Sequence, residues 1–453
     1  MPKPALLDVH GLLAAPPGDA RTVLTALEEA RERTWILVEG VPDGALTTPA
    51  ADYLSPPVWD LGHIANFEEI WLVQRLTGDG ELHDGDNDRY DALRHPRQER
   101  PSLALLDRAG ARRYMDEVRR RTRAVLEQAE LGPDGPRLTR DGLVHWMIVL
   151  HEHQHQETLL QSMQMRGPGV VRPARPRALP VPPARSGGGA GAWIEVPAGP
   201  FRMGRPHGPR VYDNEAPEHE VMVPAFQMAR FPVTCGGFLA FVEGGGYDDP
   251  GPWSAAGRAW LEESGARAPL YWDEEGGRWH RTTLLGRRPV AEVRDEILAH
   301  VTWFEAEAYA RWRGARLPSE AEWEKACRLD GRGGSVGVNP WGDAPADPGR
   351  ANIDQTAWGP SRAGAYPGGA SPLGAEHMVG DVWEWTATEF DGYPGFEPYP
   401  YAGYSEAFFR AGYKVLRGGA WATRAGCAHG CFRNWDHPRR RQIFAGVRLT
   451  RDA

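Results

Sequence analysis

The chain has 453 residues, 41% of them hydrophobic and 25% charged, which is ordinary for globular protein and enough for two or three domains. No stretch approaches the roughly 20 apolar residues of a membrane span. The formal net charge of −9, with no compensating basic block, argues against a nucleic-acid partner. The N-terminal MPKPALLDVHG has no apolar segment and no small-residue cleavage site, so an unexported, cytoplasmic protein is expected. Cys235, Cys327, Cys427 and Cys431 are too few and too scattered for a disulfide framework, and Cys427 and Cys431 lack CxxC spacing.

Residues 20 to 165 read as helices. Arg21 to Glu39 carries Val23, Leu24, Leu27, Ala30, Trp35 and Ile36 in helical rhythm. The next helix is expected to open with Ser55 as N-cap and Pro56 and Pro57 in its first turn, and to run through VWDLGHIANFEEIWLVQRL. A third spans about Asp107 to Glu130 from an Asp cap. Its arginines between Arg112 and Arg123, interleaved with Tyr114, Met115 and Val118, read as a solvated face. A fourth starts near Thr139 and runs through GLVHWMIVLHEHQHQETLLQSMQM. Four such helices suggest an antiparallel bundle over residues 1–165. Residues 166–192 are rich in Pro and then Gly and read as a linker. From Trp193 to residue 453, short alternating runs (WIEVPAG, HEVMVPAF) stand between Gly, Pro and Trp-rich loops, with helical stretches at WFEAEAYARWRG and RLPSEAEWEKACR. This describes an irregular α+β domain. Ser319 and Glu322 make a capping box in the second stretch.

His151 and His155 are four apart on a helix, so both imidazoles leave one face, in line with Met147 and Leu159. His153 falls nearly opposite. His63 lies in line with Trp59, Phe67 and Trp71, again on an apolar stripe. An isolated HxxxH is as readily a pair of hydrogen-bonded core residues. Three core-facing histidines on two helices of one bundle make a facial metal site the economical reading. Three neutral nitrogens without thiolate suit Fe(II), Zn(II) or Cu and leave positions open for substrate. In YDALRHPRQERP, Arg94 and Arg97 flank a His-Pro pair, as a carboxylate clamp or as two solvated loop arginines. In the second half, FDGYPGFEPYPY sets Tyr393 and Phe396 on a Pro/Gly loop, a frame for exposed aromatics. FRNWDHPRRRQIF gathers Asn434, Trp435 and Asp436, an aromatic face beside a carboxylate, which suits a cationic ammonium ligand.

Together, WDLGHIANFEEIW, YDALRHPR, HEHQHQET, VPAGPFRMG, YDNEAPEHEV, RLPSEAEWEKAC, GDVWEWT, GYPGF, VLRGGAW and FRNWD…RRQIFAG resemble, in order and over nearly the whole chain, the ergothioneine-biosynthesis sulfoxide synthases. The resemblance implies a two-domain α+β protein. Its parts are a DinB-like four-helix bundle and a domain like the formylglycine-generating (sulfatase-modifying) enzymes, a variant of the C-type lectin fold. It implies Fe(II)- and O2-dependent joining of a thiol sulfur to the imidazole C2 of hercynine (Nα-trimethylhistidine), with oxidation of that sulfur to a sulfoxide. It puts His63, His151 and His155 on the iron. Gln154, Asn434 and Trp435 fall to hercynine, and Arg94, Arg97 and Asp436 to γ-glutamylcysteine. Tyr393 becomes the catalytic tyrosine, giving a proton or electron near the oxygen site. The metal ligands thus fall in the first domain and the substrate groups in both, so both domains are expected to be needed for reaction. Cysteine or a selenosugar is an alternative donor, and a monomer is the default state.

Two other readings compete. A zinc-dependent DinB-like thiol transferase would need neither O2 nor Tyr393. A lectin-like binding module with purely structural histidines would keep its ligand when stripped of metal.

Overall fold

The computed structural model describes residues 9–171, 178–180, 192–330 and 334–453. Within the 166–192 stretch, residues 172–177 and 181–191 lie outside the described residues. The chain divides into two compact units, Met1–Arg172 with Gly208–Tyr212, and Pro173–His207 with Asp213–Ala453.

The first unit is built on four long helices, α1 (Ala20–Val38), α2 (Pro57–Glu68), α3 (Arg108–Leu126) and α4 (Leu143–Met165). α1 and α3 start where a short acid can take an orphan amide: Asp19 accepts from Thr22 N at 2.7 Å and Asp107 from Gly110 N at 2.6 Å. Ser55 does not cap α2. The residue before a proline is pushed out of the helical region, so Pro56 takes the cap position. The Ser55 hydroxyl instead accepts from Arg100 Nη1 at 2.8 Å. α2 runs on as a π-helical segment, Glu69–Gln74, and a last turn, Arg75–Thr77. α4 begins at Leu143 rather than Thr139, because Asp141 and Gly142 both have positive φ, which a right-handed helix cannot carry.

α1 packs on α3 and α4, and α2 on the same two, with Leu27, Ala30, Leu61, Met115, Val118 and Leu160 between them. The arginine run on α3 is not wholly solvated: Arg119 is buried and grips Glu68 of α2 at 2.8 and 2.9 Å. Arg31 of α1 joins the same carboxylate at 2.7 Å and Glu152 of α4 at 2.9 Å. Burial alone would raise the Glu68 carboxyl, but Arg119 and Arg31 outweigh it and hold the group at about 2. All four helices are thereby tied through one buried ion cluster.

The second unit is the irregular α+β domain. Strands β1 (Trp193–Val196), β2 (Phe226–Ala229) and β7 (Thr450–Asp452) form one antiparallel sheet. β5 (Asn434–Asp436), β4 (Lys414–Arg417), β3 (Trp383–Glu389) and β6 (Ala445–Gly446) form a second in that order, with only the β6–β3 pair parallel. The helix over Glu320–Arg328 carries the expected capping box of Ser319 and Glu322, and that over Trp303–Trp312 carries a second, from Thr302 and Glu305. The sequence motifs interlock through buried ion pairs. Glu320 accepts from Arg433 and Arg417 at 2.7 Å each, Glu324 from Arg417 at 2.6 Å, and Glu384 from Arg448 at 2.8 Å. All four cysteines are buried.

Candidate metal centre

His63 comes from the middle of α2, and His151 and His155 from successive turns of α4. One ring nitrogen from each lies within 4.8 Å of the others. His63 Nε2 and His151 Nε2 are 3.2 Å apart. His63 Nδ1 lies 2.7 Å from the Tyr90 carbonyl oxygen, which can only accept, so the proton sits on Nδ1 and Nε2 presents a bare lone pair. His155 Nδ1 lies 2.9 Å from Asp60 Oδ1, and an ionised carboxylate fixes the same tautomer there. Burial, then the charge of His155, pushes His63 and His151 well below the usual histidine range. Ring nitrogens converging on one point are poorly satisfied by each other and well satisfied by a cation. The donor set therefore fits a metal: three nitrogens, no thiolate, a carboxylate and a carbonyl behind them. His153, which the helical period turns away, is buried on the other side, with Nε2 4.0 Å from Glu29.

The walls of the site explain its local sequence. Trp59 stacks on His63 with ring centres 4.7 Å apart and 12° between planes, and Phe67 stacks on His151 at 4.0 Å. Gly62 precedes His63 because a Cβ there would sit 2.2 Å from the Tyr90 ring. Only glycine lets Tyr90 lie on the helix and bring its carbonyl to His63.

Arg94 and Arg97 lie on the loop after Tyr90. Arg94 is largely exposed and pairs with Asp88 at 2.5 Å, and Arg97 is half-buried. Gln154 is half-buried on α4 beside His155, and its Oε1 accepts from the Tyr212 hydroxyl at 3.0 Å. Tyr212 belongs to the Gly208–Tyr212 piece that clusters with the first unit.

In the second unit, Tyr393 is not an exposed aromatic. It is buried, with the Arg433 guanidinium 4.0 Å over its ring, His219 at 4.5 Å and its hydroxyl 3.4 Å from Glu320 Oε1. The loop folds inward there because Arg433 supplies a flat cationic surface already neutralised by Glu320. Burial, only partly offset by Arg433, pushes the phenol well above its usual value, so it stays protonated. Asn434, Trp435 and Asp436 form β5, which pairs with β4. Trp435 stacks on Phe390 at 4.2 Å with Tyr404 perpendicular to it at 5.5 Å.

Sequence reasoning missed Asp60, Tyr90 and Trp59 as supports of the histidines. Asp60 alone left a usable signal, an acid three residues before His63 on the same helical face.

The DinB superfamily profile matches residues 26–159, and that of the sulfatase-modifying factor enzyme 1-like domain matches residues 181–453. Fold and donor set define a two-module protein with a three-histidine candidate metal site. Hercynine oxygenase of Mycolicibacterium smegmatis is 43% identical over 95% of this chain and 99% of that relative. Hercynine oxygenase of Mycolicibacterium thermoresistibile is 45% identical over 94% of each chain. The chain belongs to the hercynine oxygenase family. Its second half alone is also similar to the formylglycine-generating enzyme of Mycobacterium tuberculosis, 34% identical over 44% of this chain and 74% of that enzyme. No helix among the described residues is long and apolar enough to cross a membrane.

Proposed function

We propose that this chain is a non-haem Fe(II)- and O2-dependent sulfoxide synthase of ergothioneine biosynthesis. It joins the sulfur of γ-glutamylcysteine to the imidazole C2 of hercynine. The balance is one thiol S–H and one imidazole C–H exchanged for a C–S bond, one oxygen atom of O2 on that sulfur, and one water. The observation that carries this reading is the three-histidine cluster, in a chain similar over nearly its full length to hercynine oxygenases.

His63, His151 and His155 would hold the iron, which would supply O2 activation and a lowered thiol pKa when bound. Arg94 and Arg97 take the carboxylates of γ-glutamylcysteine, with Arg94 exchanging Asp88 for substrate. Asp436 takes its ammonium group. Gln154, fixed by Tyr212, and Asn434 orient hercynine. The trimethylammonium has no N–H to donate, so the Trp435 face, in its cluster with Phe390 and Tyr404, suits it better than a hydrogen-bond acceptor would. Tyr393 Oη, kept protonated by burial, holds the proton delivered during sulfur oxidation. Four scattered, buried cysteines, too few for a disulfide framework, suit a reducing cytoplasm, where we place the protein.

The test is oxygen uptake after anaerobic Fe(II) loading, with hercynine plus γ-glutamylcysteine, cysteine or a selenosugar in turn and products read by mass. The expected result is a sulfoxide-linked adduct formed fastest from γ-glutamylcysteine. No uptake with any pair, with zinc bound tightly, would point to the transferase reading.

A further inference from the structure

Arg100 ends the loop that carries Arg94 and Arg97, and it is buried. Each of its three nitrogens donates locally: Nε to His95 O at 2.9 Å, Nη2 to Ala92 O at 3.2 Å and Nη1 to Ser55 Oγ at 2.8 Å. Two of these acceptors bracket Arg94 on the loop, and the third sits two residues before α2. The guanidinium carbon lies 3.6 Å from the centre of the Trp59 ring, and Trp59 in turn stacks near-parallel on His63. Asp60 and Asp91 act on Arg100 through space, without a hydrogen bond, while Arg97 repels it. A buried cation that could have been replaced by an apolar plug is thus kept, at a desolvation cost, where it touches both the loop and a ligand's stacking partner.

We propose that Arg100 is a positioning residue coupling the thiol-binding loop to the metal centre. Its N–H groups fix the backbone that presents Arg94 and Arg97. Its plane presses Trp59 against His63 and sets the tilt of that imidazole. The mutual repulsion of Arg97 and Arg100 also favours a carboxylate arriving at Arg97. The loop half of this inference rests on the clamp role proposed above, whereas the His63 half does not.

Lysine keeps the charge of Arg100 but loses the flat stack and the fork of donors. In the full-length protein, Arg100→Lys should raise KM for γ-glutamylcysteine about tenfold, with KM for hercynine within about twofold. It should also shift the d–d spectrum of the Co(II)-substituted protein and weaken Co(II) binding several-fold. Trp59→Leu removes the stack on His63 and the hydrogen bond to the Arg89 carbonyl but leaves the three hydrogen bonds of Arg100 in place, so it should reproduce the cobalt changes and leave the thiol KM within about twofold. A mere structural anchor would lower the amount of active enzyme, with both KM values and the cobalt spectrum unmoved, and that result overturns the inference. So does a cobalt shift in Arg100→Lys without any rise in the thiol KM. If the unsubstituted protein turns over no substrate pair, the functional reading fails separately. The cobalt arm then decides alone: an unchanged spectrum sinks the coupling, and a shifted one upholds its metal half.

Discussion

Gly62 and Asp60 flank the turn that delivers His63, and neither touches the shared metal point. Gly62→Ala would drive a methyl into the Tyr90 ring, and the ring takes with it the carbonyl bonded to His63. Overpacking of this kind costs about 1–3 kcal/mol. The expected outcome is a lower unfolding midpoint together with weaker Co(II) binding. Retained affinity at the lower midpoint would show that Tyr90 does not set the His63 tautomer. Asp60→Asn leaves the fold alone but removes the carboxylate behind His155, so metal affinity should fall about 10- to 100-fold with little change in melting. Titration with a chromophoric competitor measures it. The histidines were legible in the sequence because helical period places 151, 155 and 63 on apolar stripes. Their supports were not, since Tyr90 and Arg100 come from an irregular loop whose path no local pattern encodes. Tyr393 misled for a related reason: a Pro/Gly loop reads as exposed, and its burial depends on Arg433, 40 residues downstream.

The bundle helices were readable from apolar period and, where the signal is local, from caps. Asp107 and the Ser319–Glu322 box were anticipated because side chain and amide are three residues apart. The Pro pair shifted the cap of α2, and two positive-φ residues delayed α4. What the sequence hid is the buried charge between helices, because Arg119 looks like its exposed neighbours until Glu68 is brought across from α2. Replacing Glu68 with Gln leaves Arg31 and Arg119 buried with their main counter-charge gone. That should cost about 3–5 kcal/mol, read as a loss of urea midpoint in the metal-free protein. A loss below 1 kcal/mol would mean that Glu152 alone neutralises both. In the second unit, Ser319→Ala removes one half of the capping box and should cost about 1 kcal/mol in the same assay.

At the scale of the whole chain, each unit buries a neutral histidine that has no metal role assigned to it. Burial lowers His145 to about 4 and His300 to about 3. The unfolded chain protonates both below about 6.5 while the native protein does not, so stability is full above that pH and falls as the solution is acidified. The slope is about 1.4 kcal/mol per pH unit for each group, from 6.5 down to its folded value. Unfolding midpoints of the metal-free protein should therefore drop between pH 7 and pH 5, and a flat profile would contradict the burial of these rings. The two-module character was legible from the change in composition near residue 190. The sheet order of the second unit was not, because its strands are short and its core is tied by ion pairs between distant motifs rather than by layered periodicity. The central claim is that one iron is held by three imidazoles from two helices. Anomalous diffraction at the iron edge, on crystals loaded anaerobically with Fe(II), tests it most directly. A single peak about 2.1 Å from one ring nitrogen each of His63, His151 and His155 is the expected result. A peak elsewhere, or one held by fewer than three of these histidines, would contradict it.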